Sequence, residues 1–461
     1  MTRYEDPPAE QGVFELGVPG FDSAVGALPK GCVMCVIGGP GVGKTVFGIQ
    51  AACHAVSRGR RVLYVTVVQD EFSLKKQADT LGRDLNELEQ TGLLKIRRLS
   101  APIDVSESQQ ALLELRYEIE SFNPDLVIVD GAAALCRELD SHALVGMVER
   151  GLLQEIRERG TVMIGLFDEE GLERNQDLKQ YIMETSDVAL WLGWKSVGNL
   201  RVRSARVLKA RGIEVKRPEW SFVISEVLGG IGATSLPESL DHIPRREGSE
   251  STGLAGLDEI LGGGLPRGSL TLILGPAGAG KIALVSAISA NLANKGRRVL
   301  VLSFELMRRD FEALLDRFGL RPENRDYVTI RSVEPRALDT LDQLAEIMKF
   351  VLEADPEFLA LVGYASVETW LGQEVALAVM RHIQYTAKMR DILTLVSARA
   401  KDPEERANAY APYADVILTV QREEVDDARR VMTVLKHRLP ELEGRAGALE
   451  IERGVVRVVP A

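Results

Sequence analysis

The stretch Gly38-Gly39-Pro40-Gly41-Val42-Gly43-Lys44-Thr45 satisfies G-x-x-x-x-G-K-[ST] at every fixed position. An apolar run, Val33 to Ile37, precedes it and a helix-like run, Val46 to Val56, follows, which gives the order strand, phosphate loop, helix. Glycines let such a loop curl until successive N–H groups point at phosphate oxygens, and the helix adds the positive end of its dipole. Lys44 is then expected to neutralise the outer phosphates and the Thr45 hydroxyl to ligate Mg²⁺. The spacing therefore predicts a nucleoside-triphosphate site built from Gly39, Pro40, Gly41, Val42, Gly43, Lys44 and Thr45, and the flanking strand and helix argue against a chance glycine-rich turn.

The phrase around this loop occurs twice. Gly17-Val18-Pro19-Gly20-Phe21-Asp22 and Leu28-Pro29-Lys30-Gly31 return as Gly253-Leu254-Ala255-Gly256-Leu257-Asp258 and Leu265-Pro266-Arg267-Gly268, followed by a second loop that ends Gly278-Ala279-Gly280-Lys281. Lys44 and Lys281 stand 237 positions apart, and Val62 to Thr66 recurs as Val299 to Ser303 at the same distance. The pattern reads as a tandem duplication with domains at residues 1–235 and 236–461, joined by a polar linker from Gly229 to Ser251. In each half the loop and its helix lead through a basic turn to a second apolar strand, then a helix, then a third strand, Leu126 to Asp130 or Leu359 to Val362. Alternating strands and helices predict an α/β fold in which each domain is a mostly parallel sheet flanked by helices, with ligand at the carboxyl ends of the strands.

Composition limits the rest. Of the 461 residues 45% are hydrophobic and 27% charged, as in an ordinary globular protein, and no apolar run reaches the roughly 18 residues of a spanning helix. The polar, acidic start, Met1 to Gln11, does not read as a signal peptide, so the expected location is the cytoplasm and no membrane partner is expected. A formal net charge of −11 repels a phosphate backbone, which makes nucleic acid an improbable partner despite the basic stretch Arg201, Arg203, Arg206, Lys209 and Arg211. Cys32 and Cys35 have the spacing of a metal or redox pair, but on a strand positions three apart face opposite sides, so they are expected in the core with Cys53 and Cys136.

Two tandem phosphate-loop halves, each opened by G-x-x-G-[FL]-D and each carrying Lys-x-Arg near its end, resemble the KaiC family within the RecA-like ATPases. The resemblance implies two stacked rings in a homohexamer with ATP between neighbouring subunits. Lys209 and Arg211, and Lys436 and Arg438, match the pair that in this family reaches a neighbour's phosphates, where a cation supplied in trans stabilises charge on the transferring group. The alternative for these pairs is solvated charge on an edge strand. The family also has a Glu after the second strand to activate water and an Asp ending the third strand for Mg²⁺.

Each half departs from that pattern differently. The first keeps the loop, Thr45 and Asp130 as metal-supporting groups, but Val68 and Gln69 stand where the family has its Glu pair; a slipped strand end could bring Glu71 or Asp70 to the site, and otherwise hydrolysis is slow. The second keeps Glu305 and Lys281, but Ile282 replaces the Mg²⁺-ligating hydroxyl and Gly363 stands where the Asp is expected. That half reads as a degenerate site, able to hold nucleotide without turning it over or else empty. The family's adjacent Ser and Thr phosphorylation sites fall at Ala411 and Pro412, so a clock-type autokinase cycle is not expected. The expected function is a slow, ATP-binding, nucleotide-gated hexameric regulator or scaffold with a protein partner. A DNA-handling recombinase or helicase and a non-hydrolysing pseudo-ATPase are the alternatives, since the fold is shared.

Overall fold

The computed structural model describes residues 13–140, 144–225, 230–233, 247–422, 430–452 and 454–461. The chain divides into two compact units, residues 1–195 with 201–235 and residues 196–200 with 236–461. The N-terminal stretch and most of the candidate linker, residues 229 and 234–246, lie outside the described residues. Two pieces of that linker are strand: Gly230–Ala233 pairs with Glu219–Ser225, and Ser249–Glu250 pairs with Leu265–Pro266.

The first unit holds a nine-stranded sheet in the order Gly230–Ala233, Glu219–Ser225, Leu200–Ala210, Val188–Val197, Val33–Gly38, Val162–Asp168, Leu126–Asp130, Val62–Thr66, Leu94–Arg98. Val33–Gly38 is central and parallel to both neighbours, as strands joined by crossover helices must be. Its side chains alternate between the two covered faces. Cys32, Met34 and Val36 enter one apolar cluster and Val33, Cys35 and Ile37 the other. Cys32 and Cys35 therefore lie in different layers, and burial pushes their thiols up to about 12 and about 11.

The second unit has the same strand order, from Val328–Ser332 through Val299–Ser303, Phe358–Val362, Leu393–Arg399, Leu270–Gly275, Val416–Arg422, Arg430–Lys436 and Ala446–Glu452 to Val455–Pro460. Two mostly parallel sheets flanked by helices make tandem RecA-like domains. Their parallel strands end together, Gly38 opposite Asp168 and Thr66 opposite Asp130 in one, Gly275 opposite Arg399 and Ser303 opposite Val362 in the other. Among the described residues no helix is long and apolar enough to cross a membrane.

The helix behind each loop is nearly all core on its inner side. In Lys44–Ser57 the residues Val46, Phe47, Ile49 and Ala52 are buried, and Phe47 meets Phe21 edge to face at 5.9 Å. Each such large apolar side chain contributes roughly 1.5–3 kcal/mol on burial, so the loop is anchored at both ends by packing.

Candidate nucleotide site

Both loops turn into their helices through a glycine in the left-handed region, Gly43 at φ +113° and Gly280 at φ +98°. A Cβ on Gly43 would also lie 2.7 Å from Ile224 Cδ1, so neither backbone nor space admits a side chain there. Lys44 follows, and its Nζ donates to the carbonyls of Gly38 at 2.6 Å and Gly39 at 2.8 Å. Burial pulls Lys44 below the ordinary lysine range, against the opposing charges of Asp168, Asp130 and Glu169. Asp130 closes the strand Leu126–Asp130 and accepts a hydrogen bond from the Tyr64 hydroxyl at 3.1 Å. Burial raises its carboxyl, while the Thr45 hydroxyl, Tyr64 and the Lys44 charge pull the other way. A hydroxyl and a carboxylate side by side next to the loop lysine form an all-oxygen set suited to Mg²⁺, so Thr45 and Asp130 fit that ion.

The structure does not bring Glu71 to this loop. The strand Val62–Thr66 keeps its register, Thr66 opposite Asp130, and Asp70 caps the next helix by accepting from Ser73 N at 2.7 Å. Glu71 becomes the first residue of that helix, and it is not among the acids whose charge reaches Lys44. Exposed Val68 stands beside the end of the strand Leu126–Asp130, with its Cγ2 2.7 Å from where a Cβ on Gly131 would lie. Among the described residues the carboxylate paired with Lys44 is instead Asp168, at 3.8 Å. It ends the strand Val162–Asp168 and also accepts from Gly171 N at 3.1 Å. The sequence carried a signal for it, an acid closing the apolar run Val162 to Phe167, just as Asp130 closes its own.

At the second loop Lys281 Nζ donates to Gly275 O and Pro276 O, both at 2.7 Å. Ile282 packs on the core, as its side chain permits and a hydroxyl would not. The register corrects the expected place of the missing Asp. Thr66 faces Asp130 and Ser303 faces Val362, while Val67 N donates to Asp130 O and Phe304 N to Val362 O. Val362 is thus the counterpart of Asp130. Gly363 matches Gly131 instead, both in the left-handed region at φ +77° and +87°. Glu305 stands against it, with Cβ 2.5 Å and Oε2 3.0 Å from where a Cβ on Gly363 would lie, and its charge reaches Lys281.

A sequence model of the family described as "ATPase: KaiC" matches residues 14–236 and 250–334, more than half of the chain. The chain belongs to the KaiC ATPase family. It is a KaiC-like ATP-binding protein. The circadian clock oscillator protein KaiC of Rippkaea orientalis is 26% identical over 359 residues, 75% of this chain and 68% of that protein. KaiC of Thermosynechococcus vestitus is 25% identical over 382 residues, 78% of this chain and 72% of the relative. The circadian clock protein KaiC2 of Synechocystis sp. is 28% identical over 303 residues, 63% of this chain and only 52% of its own length. The family match in the second half stops at residue 334, short of Val362 and of Arg399.

The two Lys-x-Arg pairs that resemble the family's trans-acting cations lie at the far end of their sheets. Lys209 Nζ donates to the carbonyls of Met183 at 2.6 Å and Glu184 at 3.0 Å, and Arg211 to Glu184 O at 3.2 Å with Asp187 at 3.8 Å. Asp187 precedes the strand Val188–Val197 and accepts from Val33 N, so this pair sits at the amino ends of the parallel strands, opposite its own loop. Lys436 and Arg438 repeat the arrangement: Lys436 bonds Ala411 O and Ala414 O, and Arg438 bonds Asp415 at 3.2 Å. Among the described residues neither pair has a hydrogen bond or ion pair with its own loop. The basic stretch before them is a strand, Leu200–Ala210, whose Arg201 and Arg203 cover the Trp194 ring at 4.8 and 4.4 Å.

Proposed function

We propose that this chain binds ATP with Mg²⁺ at the first loop and hydrolyses it slowly there, as a nucleotide-gated hexameric regulator that docks a protein partner in the cytoplasm. The observation that carries the reading is the convergence of Lys44, Thr45 and Asp130 at one sheet edge, with Asp168 3.8 Å from the lysine. Gly39 to Gly43 and the helix N-terminus receive the phosphates, and Lys44 leaves its two carbonyls for the outer phosphate oxygens. Thr45 and Asp130 hold Mg²⁺, which when bound neutralises phosphate charge. Asp168 takes the part expected of Glu71: its Oδ1, released as Lys44 turns to the phosphates, orients a water and accepts its proton as the water attacks the terminal phosphorus. Arg211 and Lys209 of a neighbouring copy stabilise the leaving charge.

Three results test this. Lys44→Ala should weaken Mg·ATP binding at the first loop by about 10–150-fold, the worth of one charge-assisted contact at roughly 1.5–3 kcal/mol. Titration of the full-length variant with an unchanged affinity would remove the assignment. Light scattering should find a hexamer that saturating ATP favours, and Arg211→Ala should lower turnover about 10²–10³-fold without removing ATP, the usual loss with one donor to transition-state charge. A monomer with and without ATP, or an Arg211→Ala chain of normal rate, would return the pair to the role of solvated edge charges.

A further inference from the structure

The second loop has a cation where the first has an acid. Where the first sheet places Asp168 opposite Gly38, the second places Arg399 opposite Gly275. Arg399 is exposed, its charge reaches Lys281, and among the described residues its side chain has no hydrogen bond or ion pair. Two more arginines come from the strands on the other side. Arg422 Nη2 lies 3.4 Å from Gly278 O, and the aliphatic stem of Arg430 runs past Gly280, 3.6 Å from where its Cβ would be. The buried Arg430 Nε has no hydrogen-bond partner among the described residues. Among the described residues Glu305 and Arg399 are the charges that reach Lys281, with Arg422 and Arg430 standing at Gly278 and Gly280 of the same loop, whereas the charges that reach Lys44 are those of the three acids Asp168, Asp130 and Glu169. Carboxylates at a phosphate loop repel a triphosphate until a metal ion bridges them. Guanidinium groups neutralise phosphate directly, bind it in forked pairs and repel Mg²⁺.

We propose that the second loop is a metal-independent di- or triphosphate site, in which Arg399, with Arg422 and Arg430, replaces Mg²⁺ as the neutralising charge. The proposal rests on the reading that the phosphate loops of this chain bind nucleotide. It goes further in assigning the second loop the metal-free form of the ligand and a charge set of its own. Burial and Arg399 hold Lys281 down at about 8, against Glu305. An arriving phosphate draws a proton onto it, so affinity falls by up to about tenfold per pH unit above that value.

The test uses the full-length chain carrying Lys44→Ala, with labelled ATP and, as competitors, ADP and inorganic tripolyphosphate. ATP should bind equally well in excess EDTA and in Mg²⁺, and tripolyphosphate should displace it. Arg399→Asp should weaken that binding at least tenfold and Arg399→Gln somewhat less; both changes are at an exposed position and leave the core untouched. Affinity should drop between pH 8 and pH 9. Loss of ATP on chelation, indifference to both Arg399 variants, failure of tripolyphosphate to compete, or a flat pH response would each overturn the proposal. If the unmodified chain binds no nucleotide at all, the reading of both loops fails. If it binds Mg·ATP and only the Lys44→Ala chain is empty, the second-loop proposal alone fails.

Discussion

Asp168→Asn lowers Mg²⁺-dependent ATP turnover by about 10²–10⁴-fold, the usual loss with a general base, while ATP remains bound. Asparagine is chosen because Asp168 has two jobs. Its Oδ2 accepts from Gly171 N and caps the short helix Glu169–Arg174, while its Oδ1 faces Lys44. Asparagine is as good a cap as aspartate, so the helix stays and only the proton acceptor is lost. Removing a negative charge beside the phosphates should hold ATP binding level or tighten it, which separates this outcome from a collapsed loop. The measurement is single-turnover hydrolysis with a parallel binding titration. A folded Asp168→Asn chain that binds and hydrolyses at the normal rate would leave water activation to another group, and Glu169 is not free for it, since its Oε1 accepts from Trp191 Nε1 at 2.9 Å.

The first loop was legible in the sequence because its chemistry is local. Eight consecutive residues, an apolar run on one side and a helix on the other specify strand, turn and helix, and Asp130 is found because a carboxylate closes an apolar strand. The shared strand order of the two units follows from the same alternation of apolar runs and helices. What the sequence hid depends on register between distant strands. Starting the third strand of the second half at Leu359 rather than Phe358 put the counterpart of Asp130 one place late, at Gly363, and only pairing with Val299–Ser303 shows that Val362 stands there. Glu71 looked available because a strand end can slip by two residues in principle; the Asp70 cap fixes the helix start and prevents it. Asp168 and Arg399 meet their loops across a strand pair more than 120 residues apart in sequence, which no local pattern encodes.

Register also decides how the second loop can be given back a metal. In a Lys44→Ala background, Ile282→Thr combined with Val362→Asp should make nucleotide binding there respond to Mg²⁺ by about 10²-fold or more, from two oxygen contacts each worth roughly 1.5–3 kcal/mol. Either change alone should do little, because the hydroxyl and the carboxylate support one ion together. The cost is burial. Val362 is fully enclosed, and Val301 occupies the place from which Tyr64 donates to Asp130, so the introduced carboxylate has only the new hydroxyl until metal arrives. Thermal melting must therefore show a folded chain, and Mg²⁺ should raise its midpoint as any ligand of the native state does. Gly363→Asp is the contrasting control. At φ +77° and 2.5 Å from Glu305 Cβ its side chain costs about 1–2 kcal/mol in backbone strain and about 1–3 kcal/mol in overpacking, so the midpoint should fall and no Mg²⁺ response appear. Arg399 still faces the restored pair and opposes the ion, so adding Arg399→Asp should enlarge the Mg²⁺ response and bring hydrolysis, by returning the acid that Asp168 supplies at the first loop. A folded triple variant that stays blind to Mg²⁺ would show that the difference between the two loops lies outside these three positions.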